Sequence, residues 1–170
     1  MRRVNGVKLL VVIDATEASN RVLRYVGQLV RGCDGPEFYL TYIASNLPAQ
    51  FLETGGSELP EQEDRLESTL RRQQRGWMAV ADRKAWRILR TAQSTLQQAG
   101  VASTRIHACV SSPLDARQTA DEVLLLAGDQ GCRTVIVGRS AHSWFRRLSG
   151  GGLAEQLLRR AKDYAVWVIG

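Results

Sequence analysis

The residues best suited to chemistry in this chain are glycines. An apolar run, Val135-Ile136-Val137, ends at Gly138; Arg139-Ser140-Ala141-His142 follows, and a basic loop leads to Gly150-Gly151-Gly152 and then Leu153-Ala154-Glu155. A buried strand feeding a glycine-rich loop and a helix start leaves backbone N–H groups free, and such groups cradle phosphate or another anion. Arg139, Arg146 and Arg147 lie in the same segment. Their guanidinium groups match phosphate geometry, although solvated loop charges would read the same way in sequence. His142 is placed either to touch that anion or to stand exposed. His107, alternating on a strand, reads as structural. No Ser/His/Asp or Cys/His grouping is visible, and no acidic cluster has metal-ligand spacing.

These residues need a scaffold, and the rest of the chain supplies an alternation of strand and helix patterns. That alternation predicts an α/β fold with a mainly parallel sheet. Lys8 to Ile13 is a continuous run of leucine and β-branched residues, as expected of a strand buried on both faces. A helix is expected from Ala18 to Arg31, with Val22, Val26, Leu29 and Val30 at helical spacing. A second strand runs from Glu37 to Ala44, followed by a polar loop, residues 45–60, long enough to be a lid or an insertion. The spacing of Leu66, Leu70, Trp77, Val80, Ala81, Ile88, Leu89, Ala92 and Leu96 predicts one long helix over 61–98, packed along the sheet by that face. A third strand is expected over 103–110. Ser111-Ser112-Pro113 then opens a helix to about Gly128, with proline suited to its first turn. Thr134 to Val137, Gly152 to Lys162 and Tyr164 to Ile169 read as strand, helix and strand.

The bulk composition narrows the class. A chain of 170 residues with 44% hydrophobic and 24% charged content fits one soluble domain spanning 1–170. The net charge of +6 would suit an anionic partner. No recognition motif or aromatic-basic platform accompanies it, which argues against nucleic acid. No apolar run approaches the ~20 residues of a membrane span. The basic start reaches Asp14 too soon for a signal peptide, so a cytoplasmic protein without a membrane partner is expected. Cys33, Cys109 and Cys132 form no C-x-x-C pair and suggest neither disulfides nor zinc.

The spacing from Gly138 resembles the nucleotide loop of the universal stress protein family: Gly, two residues, Gly, nine residues, Gly, then Ser or Thr. Those four positions are here Gly138, Ala141, Gly151 and Gly152. Leu10 to Ser19 is similar to the family's opening strand, acidic turn and first helix; Cys132 to Gly138 is similar to its fourth strand. The resemblance implies a five-stranded parallel sheet in the order 3-2-1-4-5, helices on both faces, of the adenine nucleotide α-hydrolase-like type. It also implies ATP, which normally carries Mg²⁺, bound across strands one, two and four. Asp14 would then face the adenine or ribose, Ile43 the base, and Gly138 the ribose and phosphates. Gly151 and Gly152 would offer amides to the phosphates, with Arg139, Ala141, His142 and Leu153 along the same loop. Members of such a family act as stress-response signalling modules, and many dimerise through the last strand. A homodimer with further, unidentified protein partners is therefore expected. Hydrolysis should be slow at most, because Asp14 would sit at the wrong end of the nucleotide to activate a water.

Two of the four keyed positions depart from the pattern. Ala141 replaces a glycine, which costs on the order of 1 kcal/mol if that position needs φ > 0. Gly152 replaces a hydroxyl residue and removes one bond to phosphate, worth roughly 1.5–3 kcal/mol. Plainer roles also fit the residues: Asp14 as a helix-capping turn residue, Ile43 as core, and Gly138 as a point of tight strand–helix packing. The alternative function is a nucleotide-free family member that acts as a protein-interaction module.

Overall fold

The computed structural model describes residues 6–14, 16–31, 35–43, 60–111, 119–139 and 152–170, with the side chains of the long helix described from Thr69 onward. The loop at 45–60 (apart from Pro60), Cys33, Pro113 and the segment Ala141–Gly151 lie outside the described residues.

Five parallel strands form the sheet: β1 (Lys8–Ile13), β2 (Glu37–Ile43), β3 (Ile106–Ser111), β4 (Thr134–Gly138) and β5 (Ala165–Ile169). Their order is β3-β2-β1-β4-β5, so β1 lies at the centre and the path reverses between β1 and β4. The register of the reversal places Leu9 beside Thr134 and Val11 beside Ile136. The expected fold class is therefore the observed one.

Burial of β1 on both faces explains its unbroken apolar run. Leu9, Val11 and Ile13 face one layer, where α1 (Glu17–Leu29) and α2 (Pro60–Gln98) contribute Val22, Leu23, Val26, Leu89, Ala92 and Leu96. Leu10 and Val12 face the other, packed with Ala120, Val123 and Ala127 of α3 (Thr119–Gln130) and Leu153 and Leu157 of α4 (Leu153–Arg160). Gly100 and Gly131 take positive φ just after α2 and α3, the left-handed stop that only glycine adopts without strain.

The element bounds differ from the sequence expectation by up to three residues at most ends, as frayed ends do. At Ser111 the difference is larger: it completes β3 instead of opening a helix, and Ser103–Arg105 form a 3₁₀ turn before the strand. The long helix is a more important correction. The spacing predicts that its apolar stripe packs along the sheet throughout, yet among the described residues Leu70, Trp77 and Ala81 are only half-buried and full burial begins at Ala85. Val80 is 57% exposed and Trp86 40%. Length is the reason. Thirty-nine helical residues span about 58 Å, while strands of 5–7 residues span only about 17–24 Å. One end of α2 must overhang.

Cys132 is buried and burial pushes its thiol up to about 11; the same cause raises Cys109. Tyr42 is raised too, by burial first and then by the Asp14 carboxylate. All three native groups hold their protons into alkaline solution, whereas the unfolded chain releases them earlier. Stability is thus complete below pH 9 and falls as pH rises from 9.0 toward 11. Urea midpoints measured from about pH 8 to about pH 10.5 should decline, and Cys132 should alkylate far more slowly in the native than in the unfolded chain. A flat midpoint profile would contradict this account.

Candidate functional site

Strand ends β1 and β4 meet at the carboxyl edge of the sheet, where the strand order reverses. In open α/β sheets ligands bind there. A crevice at this edge is lined by Val12, Ile13, Asp14, Ser19, Ile43, Val137, Gly138, Arg139, Gly152, Leu153, Ala154 and Glu155. Six residues singled out from sequence thus come together: Asp14, Ile43, Gly138, Arg139, Gly152 and Leu153. Ala141, His142 and Gly151 lie outside the described residues.

Asp14 is fixed by the turn that it nucleates. Its Oδ1 accepts from the Thr16 backbone N–H at 3.0 Å and the Ser19 hydroxyl at 2.6 Å, and the Thr16 hydroxyl donates to it as well. In return the Asp14 N–H donates to Ser19 Oγ at 2.8 Å. Thr16 is the N-cap of α1 but makes no capping bond of its own, because its hydroxyl is turned back to Asp14. A carboxylate at this end of α1 is also favoured by the helix dipole. None of these bonds uses Oδ2, which leaves that oxygen as the acceptor available to a ligand. The sequence reading missed Ser19. Its signal was the Asp, Thr and Ser at positions i, i+2 and i+5 around a strand-to-helix turn.

Gly138 has a local reason to be glycine. A Cβ there would lie 2.8 Å from the Cβ of Ala18 and 3.0 Å from the Ala18 backbone carbonyl atoms, so α1 crosses the end of β4 at a distance that a side chain would prevent. Ile43 is 4% exposed and joins the core beneath the crevice. Arg139 is exposed at the mouth, and its backbone N–H donates to Ile169 at 2.7 Å, which ties the end of β4 to β5.

Gly152 is the N-cap of α4, with φ −68° and ψ 166° and no side-chain cap. Any residue can adopt that backbone, so a hydroxyl residue would fit by conformation. Glu155, three residues on, bends back against Gly152. Its carboxylate stands where an anion at the start of α4 would come, so such an anion must displace it. The free space within the crevice is about 20 Å³, room for little more than one water. Among the described residues no group of three His, Cys, Asp or Glu side chains could hold a metal ion. No helix there is long and apolar enough to cross a membrane.

The residues fit an adenine nucleotide in part. Ile43 and Val12 offer an apolar wall, Asp14 Oδ2 an acceptor, and Arg139 a cation at the mouth. The narrow crevice and Glu155 oppose the phosphates unless both move.

Comparison with known proteins agrees with this architecture. A search of curated proteins found no match. Among solved structures, a universal stress protein in complex with cAMP superposes with a TM-score of 0.61 at 16% identity, each chain covering 97% of the other. A protein of this family from Burkholderia pseudomallei gives 0.59 at 18% identity, with 95% of this chain and 94% of that one covered. The Archaeoglobus fulgidus universal stress protein in complex with dAMP gives 0.53 at 14%, covering 98% and 99%. Identities this low speak for the fold alone. The family is settled by sequence, since the model of the universal stress protein family matches residues 7–169. The chain belongs to the universal stress protein family.

Proposed function

We propose that this protein is an ATP-binding module of the stress-response type, cytoplasmic and without strong catalysis, whose ligand state alters its contacts with partner proteins. The observation that carries this reading is the convergence of Asp14, Ile43, Gly138, Arg139 and Gly152 on one crevice, although 124 positions separate Asp14 from Gly138. Relatives of the same fold whose structures hold cAMP and dAMP support an adenine nucleotide. Asp14 and Ile43 take the nucleoside end. The start of α4, the loop before it and Arg139 take the phosphates, with Mg²⁺ as the usual companion of ATP. Calorimetric titration should show ATP binding that saturates below about 1 mM. No heat and no excess absorbance at 260 nm in the purified protein would reject it.

A second reading has a specific observation behind it. Gly138 is already accounted for by Ala18, and Gly152 lacks the hydroxyl of the family pattern. A nucleotide-free interaction module would keep the fold and lose the ligand. The two readings part on one variant. A Cβ at Gly152 would meet the Glu155 carboxylate, so Gly152→Ser requires that flexible side chain to swing aside. Once it does, a Ser-x-x-Glu capping box can form and should stabilise α4 by a few tenths of a kcal/mol, about what separates Gly from Ser at an N-cap. If ATP binds, the added hydroxyl should also tighten it roughly 10-fold. Measurable binding only after Ala141→Gly is combined with Gly152→Ser would favour the nucleotide-free reading.

We also propose a homodimer through β5. This strand ends the sheet on one side, and Trp167 is 37% exposed on it. An apolar edge that no described strand pairs with invites pairing, and two-fold pairing removes it. Sedimentation should give a dimer of the 18.9 kDa chain. Val166→Asp or Val168→Asp should shift it to monomer, and a wild-type monomer at about 50 μM would reject the pairing.

A further inference from the structure

A second hollow lies against Asp14 on the opposite face of the sheet. It runs between α1 and α2, encloses about 240 Å³, and is lined by Ile13, Asp14, Thr16, Ser19, Asn20, Leu23, Arg87, Ile88, Thr91 and Ala92. Its floor is apolar, made of the buried Ile13, Leu23 and Ala92 with half-buried Ile88. Its rim is polar, and the two walls differ in charge. The turn before α1 carries the Asp14 carboxylate, of which Oδ1 is committed to the turn and Oδ2 is not. The α2 wall carries Arg87, exposed and without an ion-pair partner among the described residues. One turn on, Thr91 donates its hydroxyl proton to the Arg87 carbonyl at 3.1 Å, so it faces the groove as an acceptor.

Volume and chemistry together select a ligand class. At about 240 Å³ the groove is smaller than the roughly 300–1,000 Å³ of sites for drug-sized molecules, so it suits a smaller one. An anion alone would meet Asp14, and a cation alone would meet Arg87. We infer that the α1–α2 groove binds a small aliphatic zwitterion of the amino-acid type, its ammonium at Asp14 and Thr91, its carboxylate at Arg87 and Asn20, and its side chain on Ile13, Leu23, Ile88 and Ala92. This site rests on α1, α2 and the Asp14 turn. It shares Asp14 Oδ2 with the crevice on the other face, so an amino acid here and a nucleotide there would compete for that oxygen, and the site is tested without nucleotide.

The test uses the full chain and three probes, L-leucine, N-acetyl-L-leucine and isoamylamine, followed by amide chemical shifts without nucleotide. L-leucine should give saturable shifts at Asn20, Leu23, Arg87 and Thr91 with a Kd of about 1 mM. N-acetyl-L-leucine lacks the ammonium and isoamylamine lacks the carboxylate, so each should bind at least ~10-fold more weakly. Arg87→Glu and Thr91→Val change exposed positions and should leave the fold intact; the first should abolish the L-leucine shifts and the second reduce them. No saturable shift at these residues, or equal binding of the three probes, overturns the proposal. L-leucine shifts confined to Val137, Gly138 and Leu153 would overturn it too. ATP failing to bind while L-leucine binds here would count against the nucleotide reading alone.

Discussion

Gly138→Val is expected to destabilise the protein by about 3 kcal/mol, the upper part of the range for overpacking a close contact. The added side chain cannot rotate away, because its Cβ itself would lie 2.8 Å from the Cβ of Ala18 and 3.0 Å from the Ala18 backbone. Helix α1 would have to move off β4. Since α1 carries Ser19, and Ser19 holds Asp14, the shift should loosen the crevice as well. Gly138→Ala should cost less, about 1–2 kcal/mol. Ala18→Gly removes the nearest atom but not the backbone behind it, so the double variant should recover only part of the loss. A double-mutant cycle by urea denaturation would read this as a coupling of about 1 kcal/mol between the two positions. Strict additivity would mean that Gly138 is glycine for some other reason, and the ligand would become the stronger explanation.

Asp14 should separate scaffold from recognition. Asp14→Ala deletes the oxygen that accepts from Thr16 and Ser19, leaving these donors to find other partners at the start of α1. A loss of about 2 kcal/mol is expected, within the range for breaking charge-assisted bonds and a helix-end turn. Asp14→Asn keeps a carbonyl at the Oδ1 position and can rebuild the turn, so it should cost under about 1 kcal/mol. It nonetheless replaces Oδ2 with an amide donor and removes the charge. Both variants should therefore weaken ATP by at least ~10-fold, while only the alanine variant lowers the urea midpoint strongly. If Asp14→Asn binds ATP as the wild type does, Asp14 is a turn residue and nothing more.

Much of this molecule was legible in its sequence. The double-sided burial of β1 is written in its unbroken apolar run, since a strand covered on both faces has no polar face to alternate. The helices announce themselves by their spacing, and the crevice follows once the parallel order of strands is granted. The order itself came from the resemblance to a family, because no local pattern states that Leu9 lies beside Thr134. The glycine at position 138 could be read equally as a phosphate contact or as a packing point. Only the approach of Ala18, far away in the chain, decides that packing suffices to require it. Ser19 was hidden for a similar reason: a serine near a helix start is ordinary until its hydroxyl is seen to join Asp14 from both sides. The overhang of α2 escaped as well. An apolar stripe reports which face of a helix is suited to burial, but how much of it the sheet covers depends on the length of the strands it crosses. Local sequence set the periods, turns and caps, because those depend on neighbours within a few residues. The juxtapositions that make the crevice and the α1–α2 groove depend on residues brought together from distant parts of the chain, and tertiary packing alone decided them.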